Sequence, residues 1–314
     1  MVAHGHARLW LVWSLIGLSL VVIPARSEPL EGSTLLYVSD YFSFVGSDDR
    51  GHVAFALDNN RGRDGGAYQA EHFAVLHDEH SGWIDVAGSG PYPNQDHAVD
   101  RIPDSDDFQF DGTPTTGLTI TSHRNHLILV VEPLPARTRH RHAGALTWMG
   151  SAPATLTWQG RTIVGRVIYE YLLIPGFNRL TRTYWGLWNN FQGLYLLANG
   201  DGDVYVHSQE SELLAPIVGK LTGFSALDGQ TKELQDLRLR VVDRDFALGL
   251  FRWPTSWEIS WMGAQGRSTL TLSASERKSI AGWVFGGFAM SIVRGELSQG
   301  GRVFSVYGLA ELLM

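Results

Sequence analysis

The 314-residue chain contains no cysteine. Disulfides and thiolate zinc sites are therefore excluded, and the fold must rest on burial alone. Lysine is almost absent too, with only Lys220, Lys232 and Lys278, and the formal charge is −7. An acidic chain without a basic stripe argues against nucleic acid as a partner and does not favour anionic lipid. Helical periodicity is weak throughout, and the stretches that read as helix are short, such as Ser275–Phe285. Neither GxSxG nor HExxH occurs, so a serine-hydrolase elbow and the HExxH metalloprotease site are both missing.

Long apolar runs are missing as well, except at the start. Arg8 precedes an apolar run from Leu9 to Ile23, and Ala25-Arg26-Ser27 places small residues where a signal peptidase reads. The run is shorter than the roughly 20 residues a membrane span needs. The expectation is a signal peptide over 1–27, cleaved after Ser27, and a periplasmic or secreted protein with no transmembrane span. Losing Arg8 and Arg26 takes the formal charge from −7 to −9.

What is present is alternation. Leu35–Val45, Val53–Leu57, Tyr68–Leu76, Leu118–Thr121 and Leu127–Glu132 read as strands of a meander. Asp58–Gly66 reads as a Gly- and Arg-rich loop, and Gly88–Gly112 as a long acidic connection. The stretch from Pro133 to Pro153, with its basic run Arg137 to His142, reads as a solvated crossover between two halves. The expected domains are 28–145 and 146–314.

The second half opens on Leu156–Ser208. In its first long strand Val167, Tyr169, Tyr171 and Leu173 share one face, and Ile168, Glu170, Leu172 and Ile174 the other. Glu170 is the only ionisable group on its face. Pro175-Gly176 ends the strand, and an aromatic loop with Arg179, Arg182, Tyr184, Trp185 and Trp188 leads to a hairpin turning at Asn199-Gly200-Asp201-Gly202. Asp201 and Asp203 read as turn formers. Further on, Trp257 and Trp261 share a face that Glu258 does not, and a hairpin about Ser298-Gln299-Gly300-Gly301 closes the chain.

Glu170 is the candidate acid, because a carboxyl among apolar neighbours keeps its proton. The alternative is a structural ion pair with Arg179 or Arg182. Tyr169, Tyr171, Tyr184, Trp185, Trp188, Trp257 and Trp261 are candidate walls for an apolar ligand. Histidines crowd the first half, but His123/His126 and His72/His77 fall on opposite strand faces; only His77, Asp78 and His80 could converge, at a turn. No metal and no cofactor are expected.

Leu156-Thr157-Trp158-Gln159-Gly160-Arg161, the strand carrying Glu170, and Tyr184-Trp185-Gly186-Leu187-Trp188 resemble the second domain of the carotenoid 1,2-hydratase (hydroxyneurosporene synthase) and AttH superfamily. Val293-Arg294-Gly295-Glu296-Leu297 and Tyr307-Gly308-Leu309-Ala310-Glu311 are similar to its closing hairpin, and Asp40–Phe44 and Gln69–Phe73 to its first aromatic strands. The resemblance implies an all-β chain of two lipocalin-like antiparallel barrels with a pocket for an isoprenoid or other apolar molecule. Three functions fit: a carrier of a hydrophobic small molecule, a hydratase-type lyase with Glu170 as acid and Trp185 and Trp188 beside the cation, and a carbohydrate-binding or carbohydrate-cleaving β-protein. The carrier ranks first. Oligomeric state is left open.

Overall fold

In the computed structural model the described residues are 35–64, 67–93, 101–135, 137–142, 145–175, 190–198, 202–210, 220–227, 230–248, 251–263, 265–283 and 286–313. The expected signal peptide lies outside them. All regular structure among them is β, and no described helix is long and apolar enough to cross a membrane.

The first half of the chain supplies β1 (Leu35–Asp48), β2 (Gly51–Asp64), β3 (Ala67–Asp78), β4 (Gly82–Pro93), β5 (Gln109–Thr113), β6 (Gly117–Ser122), β7 (Leu127–Val131), β8 (Arg137–His142), β9 (Ala145–Trp158) and β10 (Arg161–Pro175). They form one antiparallel sheet in the order β4-β3-β2-β1-β10-β9-β7-β6-β5, with β8 also paired to β9. The second sheet holds β11 (Asn190–Ala198), β12 (Gly202–Glu210), β13 (Lys220–Leu227), β14 (Gln230–Glu233), β15 (Gln235–Leu248), β16 (Phe251–Gly263), β17 (Gly266–Trp283), β18 (Gly286–Gln299) and β19 (Arg302–Leu313). Its order is β14-β13-β12-β11-β19-β18-β17-β16-β15.

Each sheet curls round its own core. In the first, Val86 and Ala87 of β4 and Leu118 and Ile120 of β6 share one buried cluster with Phe42, Phe55 and Phe108. In the second, Leu234 joins Trp253, Trp257 and Trp261 of β16, with Leu270, Leu272 and Val293. A third core lies between the sheets, where Tyr41, Ala56, Phe73, Met149 and Ile168 of the first pack on Tyr195, Tyr205, Phe224, Ile292 and Leu309 of the second. Two lipocalin-like β-barrel halves thus stand back to back along an apolar seam. Burying a large apolar side chain contributes roughly 1.5–3 kcal/mol, which is how a chain without cross-links holds together.

Several expectations need correction. The sheets divide between β10 and β11, not at 145/146: β10 pairs with β1 along its length, so β9 and β10 belong to the first sheet. Arg137–His142 is strand β8 rather than a linker, because the free edge of β9 beyond β7 receives it. The polar run Asp58-Asn59-Asn60-Arg61 continues β2 and is buried. Arg61 pairs with Asp40, and Ser39 and Asn60 donate to Asp58, so partners outweigh the turn preference of these residues. The expected helix at Ser275–Phe285 is strand β17 up to Trp283, with bulges at Ala274/Glu276 and Ser279/Ala281. Each bulge breaks the two-residue period, and two together mimic a helical one.

Strand β19 meets β11 closely enough that glycine is required. A Cβ on Gly308, which pairs with Leu196, would overlap the carbonyl of Tyr195. Gly308→Ala is expected to cost roughly 1–3 kcal/mol, read as a lower midpoint in thermal unfolding.

Candidate active site

Register alone assembles the site. Across the seam face of the first sheet runs the row Phe73, Asp58, Tyr41, Glu170, Met149. The second sheet offers the row Phe224, Tyr205, Tyr195, Leu309, Ile292, and beside it Thr222, His207, Gly193, Glu311, Met290. Tyr41 and Tyr195 meet with ring centroids 4.8 Å apart, and Tyr195 and Tyr205 at 5.1 Å.

Glu170 is only 6% exposed. Its Oε2 accepts from the Tyr205 hydroxyl at 2.7 Å and lies 3.3 Å from that of Tyr195. The same Tyr195 hydroxyl is 3.0 Å from Glu311 Oε2. Gly193 makes this possible: a Cβ there would lie 2.8 Å from the Tyr195 ring, so the ring leans back over the glycine toward Glu311, its partner on β19.

Burial, followed by the charge of Glu311, holds the Tyr195 phenol well above its ordinary range, and burial does the same for Tyr41 and Tyr205. All three stay protonated donors. A phenol has one proton to give. Tyr195 can donate to one carboxylate, and its contact with the other is a hydrogen bond only when that carboxyl carries a proton itself.

Solved structures share this architecture. A crystal structure of an AttH-type protein from Nitrosomonas europaea superposes with a TM-score of 0.57 at 10% identity, covering 93% of this chain and 98% of that one. Kievitone hydratase from Nectria haematococca gives 0.55 at 11% identity, covering 91% and 90%. A structure of CghA with Sch210972 gives 0.57 at 12%, covering 89% and 88%. The chain has the AttH-type fold. These neighbours are of the AttH-like, lipocalin-type family that the sequence resembles, and at such identities the likeness establishes the fold alone. No family model matches the chain, and no curated protein does.

Within the AttH-type frame the sequence-predicted residues separate. Glu170 faces the seam, whereas Tyr169 and Tyr171 alternate to the inner face of the first sheet. Tyr169 donates to Asp40, the partner of Arg61, and Tyr171 stacks on Trp148 at 5.1 Å. Trp257 and Trp261 are fully buried in the second sheet's own core, where Trp257 Nε1 donates to Gln192 Oε1 at 2.8 Å. Glu258 points outward to Arg240, as its alternation requires. Tyr184, Trp185 and Trp188 lie outside the described residues, as do Arg179 and Arg182.

Tyr41, Tyr195, Tyr205 and Glu311 were not singled out as site residues on sequence. Two tyrosines at matched positions of one hairpin, with glycine two residues before the first, were the available signal.

Among the described residues no three metal-ligating groups converge. The buried His77 ring reaches the other sheet, to the Tyr307 hydroxyl at 3.2 Å and Glu276 at 2.9 Å, while Asp78 takes Arg161 and the backbone N–H groups of His80 and Ser81. Asp203 is likewise more than a turn former. Buried on the seam face of β12, it accepts from Arg166 and Ser151 of the first sheet.

Burial pushes the Asp203 carboxyl up to about 6, against the pull of Arg166. A carboxyl raised on folding stabilises most below its unfolded value, and that contribution is lost as pH rises through about 6. In urea unfolding between pH 4 and 7, Asp203→Asn is expected to remove a decline in stability that the parent chain shows over this range.

Proposed function

We propose that the protein binds an apolar, alkene-bearing small molecule at the seam between its sheets and adds water to it, as a hydro-lyase of hydratase type. The observation that carries this reading is the pair Glu170 and Glu311 joined through one phenol in an apolar layer. Tyr195 has one proton for two carboxyl contacts, and on this reading the second contact is made by a proton that the pair carries.

Protonating a carbon–carbon double bond needs an acid of this kind, and the resulting cation needs electron-rich faces. Glu311, half-buried at the edge of the cluster, gives its proton to one alkene carbon. The π electrons form the new C–H bond, and the cation left on the other carbon faces the tyrosine rings. Water adds there and its surplus proton returns to the carboxylate, so that water is the only net addition.

The carrier reading shares the binding step but has no use for a proton-holding pair in its apolar wall. For that reason turnover now ranks above carriage. A sugar-cleaving site needs two carboxyls about 5–9 Å apart with a sugar between them; here Tyr195 occupies that space. Export after cleavage at Ser27 belongs to the same proposal, because it would set the compartment in which the ligand is met.

Incubation with a panel of isoprenoid alkenes in ¹⁸O-labelled water, followed by mass spectrometry of the extract, tests the reading. Label should enter the product with the parent chain. Glu311→Gln and Glu170→Gln should each lose roughly 10²-fold or more of the rate while retaining the ligand in native mass spectrometry. Equal rates in parent and variants would overturn the assignment.

A further inference from the structure

We infer that the uncharged outer face of β6, β7, β9 and β10 is a docking surface for a second copy of this chain, which meets it about a twofold axis along β7. The face continues the seam. Met149 of β9 and Ile168 of β10 lie in the seam core, and Ser151 and Arg166 at its margin bond to Asp203 of the second sheet. Past that margin the same faces of the same strands run on to Thr155 and Thr157 and to Val164 and Thr162, and register carries their rows across β7 to β6.

The second sheet stops short of this region. Ile128, Val130 and Val164 are 41%, 46% and 66% exposed, with the half-exposed Thr119, Thr121, Thr155 and Thr157 beside them and no charged side chain among them. An antiparallel strand with one face in water alternates apolar and polar residues. Strand β7 is Leu127-Ile128-Leu129-Val130-Val131, apolar on both faces. Such a sequence belongs to a strand covered twice, as β11 is covered by its own core over Leu194 and Leu196 and by the seam over Tyr195 and Leu197. The second sheet supplies the contrast. One row on the outer face of β15 to β18 reads Arg240, Glu258, Thr271, Glu296, all exposed, with Arg240 paired to Glu258. Water covers that face, and charge marks it.

The pattern selects a second copy as the occupant. Two rows cross β7, one of Thr119, Val130 and Thr155 and one of Thr121, Ile128 and Thr157. Each reads threonine, aliphatic, threonine from either side. A twofold axis along β7 therefore lays Val130 on the partner's Val130 and Ile128 on the partner's Ile128, with Thr119 over the partner's Thr155. An isologous interface needs this self-complementarity. The sheet already packs on another across five strands in the seam, from Phe73 of β3 to Met149 of β9. Five strands from β5 to β10, about 4.8 Å apart and some six residues long, give roughly 500 Å² per copy. That is the size of a weak, concentration-dependent dimer.

Sedimentation of the full chain between about 1 and 200 µM tests the inference, with an expected dissociation constant on the order of 10 µM. Val130→Glu, which sets like charges against each other on the axis, should weaken the dimer roughly tenfold or more, whereas Val303→Glu, at an exposed valine of β19, should leave it within about twofold. Circular dichroism verifies folding, and Thr155→Arg is a second variant expected to weaken the dimer likewise. Because the chain has no cysteine, Val130→Cys should give a disulfide-linked dimer under mild oxidation and Val303→Cys should not. A monomer at every concentration, or a dimer that survives both Val130→Glu and Thr155→Arg, would overturn the inference. Binding of the parent chain to phosphatidylcholine vesicles that Val130→Glu abolishes would assign the face to lipid and overturn it as well.

Discussion

Everything in the molecule depends on the two sheets turning their outer faces toward each other. A single curled sheet buries one face and leaves the other to water, whereas here the central strands β1, β2, β10, β11 and β19 are buried on both sides. That second buried face supplies apolar area that a chain without disulfides needs, and it also creates the only environment in the described residues where Glu170 could be enclosed by tyrosines from the opposite sheet. Removal of the seam would leave the two inner cores in place but would return Glu170, Asp203 and His77 to solvent.

The seam is not uniformly apolar. Tyr41, Tyr195, Tyr205, Ile168 and Leu309 form its middle, and partnered polar groups surround them: Arg166 with Asp203 and Ser151, His77 with Glu276 and Tyr307, Arg294 with Glu79, and Lys278 with Asp85. Most of these pairs join one sheet to the other. Charged pairs at such a boundary add little net stability but penalise sliding, since a shift by one residue would leave buried charges unpaired. They fix how the two sheets mate, and with it which tyrosine meets Glu170. The geometry on which the proposed chemistry rests is thus a consequence of register and of boundary electrostatics together.

Much of this was legible in the sequence. The alternation of Val167 to Leu173, the face shared by Trp257, Ile259 and Trp261, and the closing hairpin all appear as read, and the two-barrel architecture implied by the resemblance is the one found. The face that Glu170 occupies was also correct. What lay on the other side of that face was not readable, because a strand buried on both sides carries no polar signal to tell a barrel interior from an interface. Glu170 was therefore grouped with Tyr169 and Tyr171, which point the opposite way. Asp58 to Arg61 failed for a related reason, being polar residues in a strand whose partners come from β1. In β17 two bulges reset the period and hid the strand's second half.

In the proposed chemistry Glu170 and Glu311, joined through the Tyr195 hydroxyl, hold a proton at neutral pH. Infrared difference spectra between the parent chain and Glu170→Gln, Glu311→Gln and Tyr195→Phe variants address it directly. That chemistry requires a protonated-carboxyl C=O band in the parent chain at pH 7 that is lost with either glutamine and displaced when the phenol is removed. If the spectra contain only ionised carboxylate bands at these two positions, the seam holds no acid, and the pair is a structural feature of the interface.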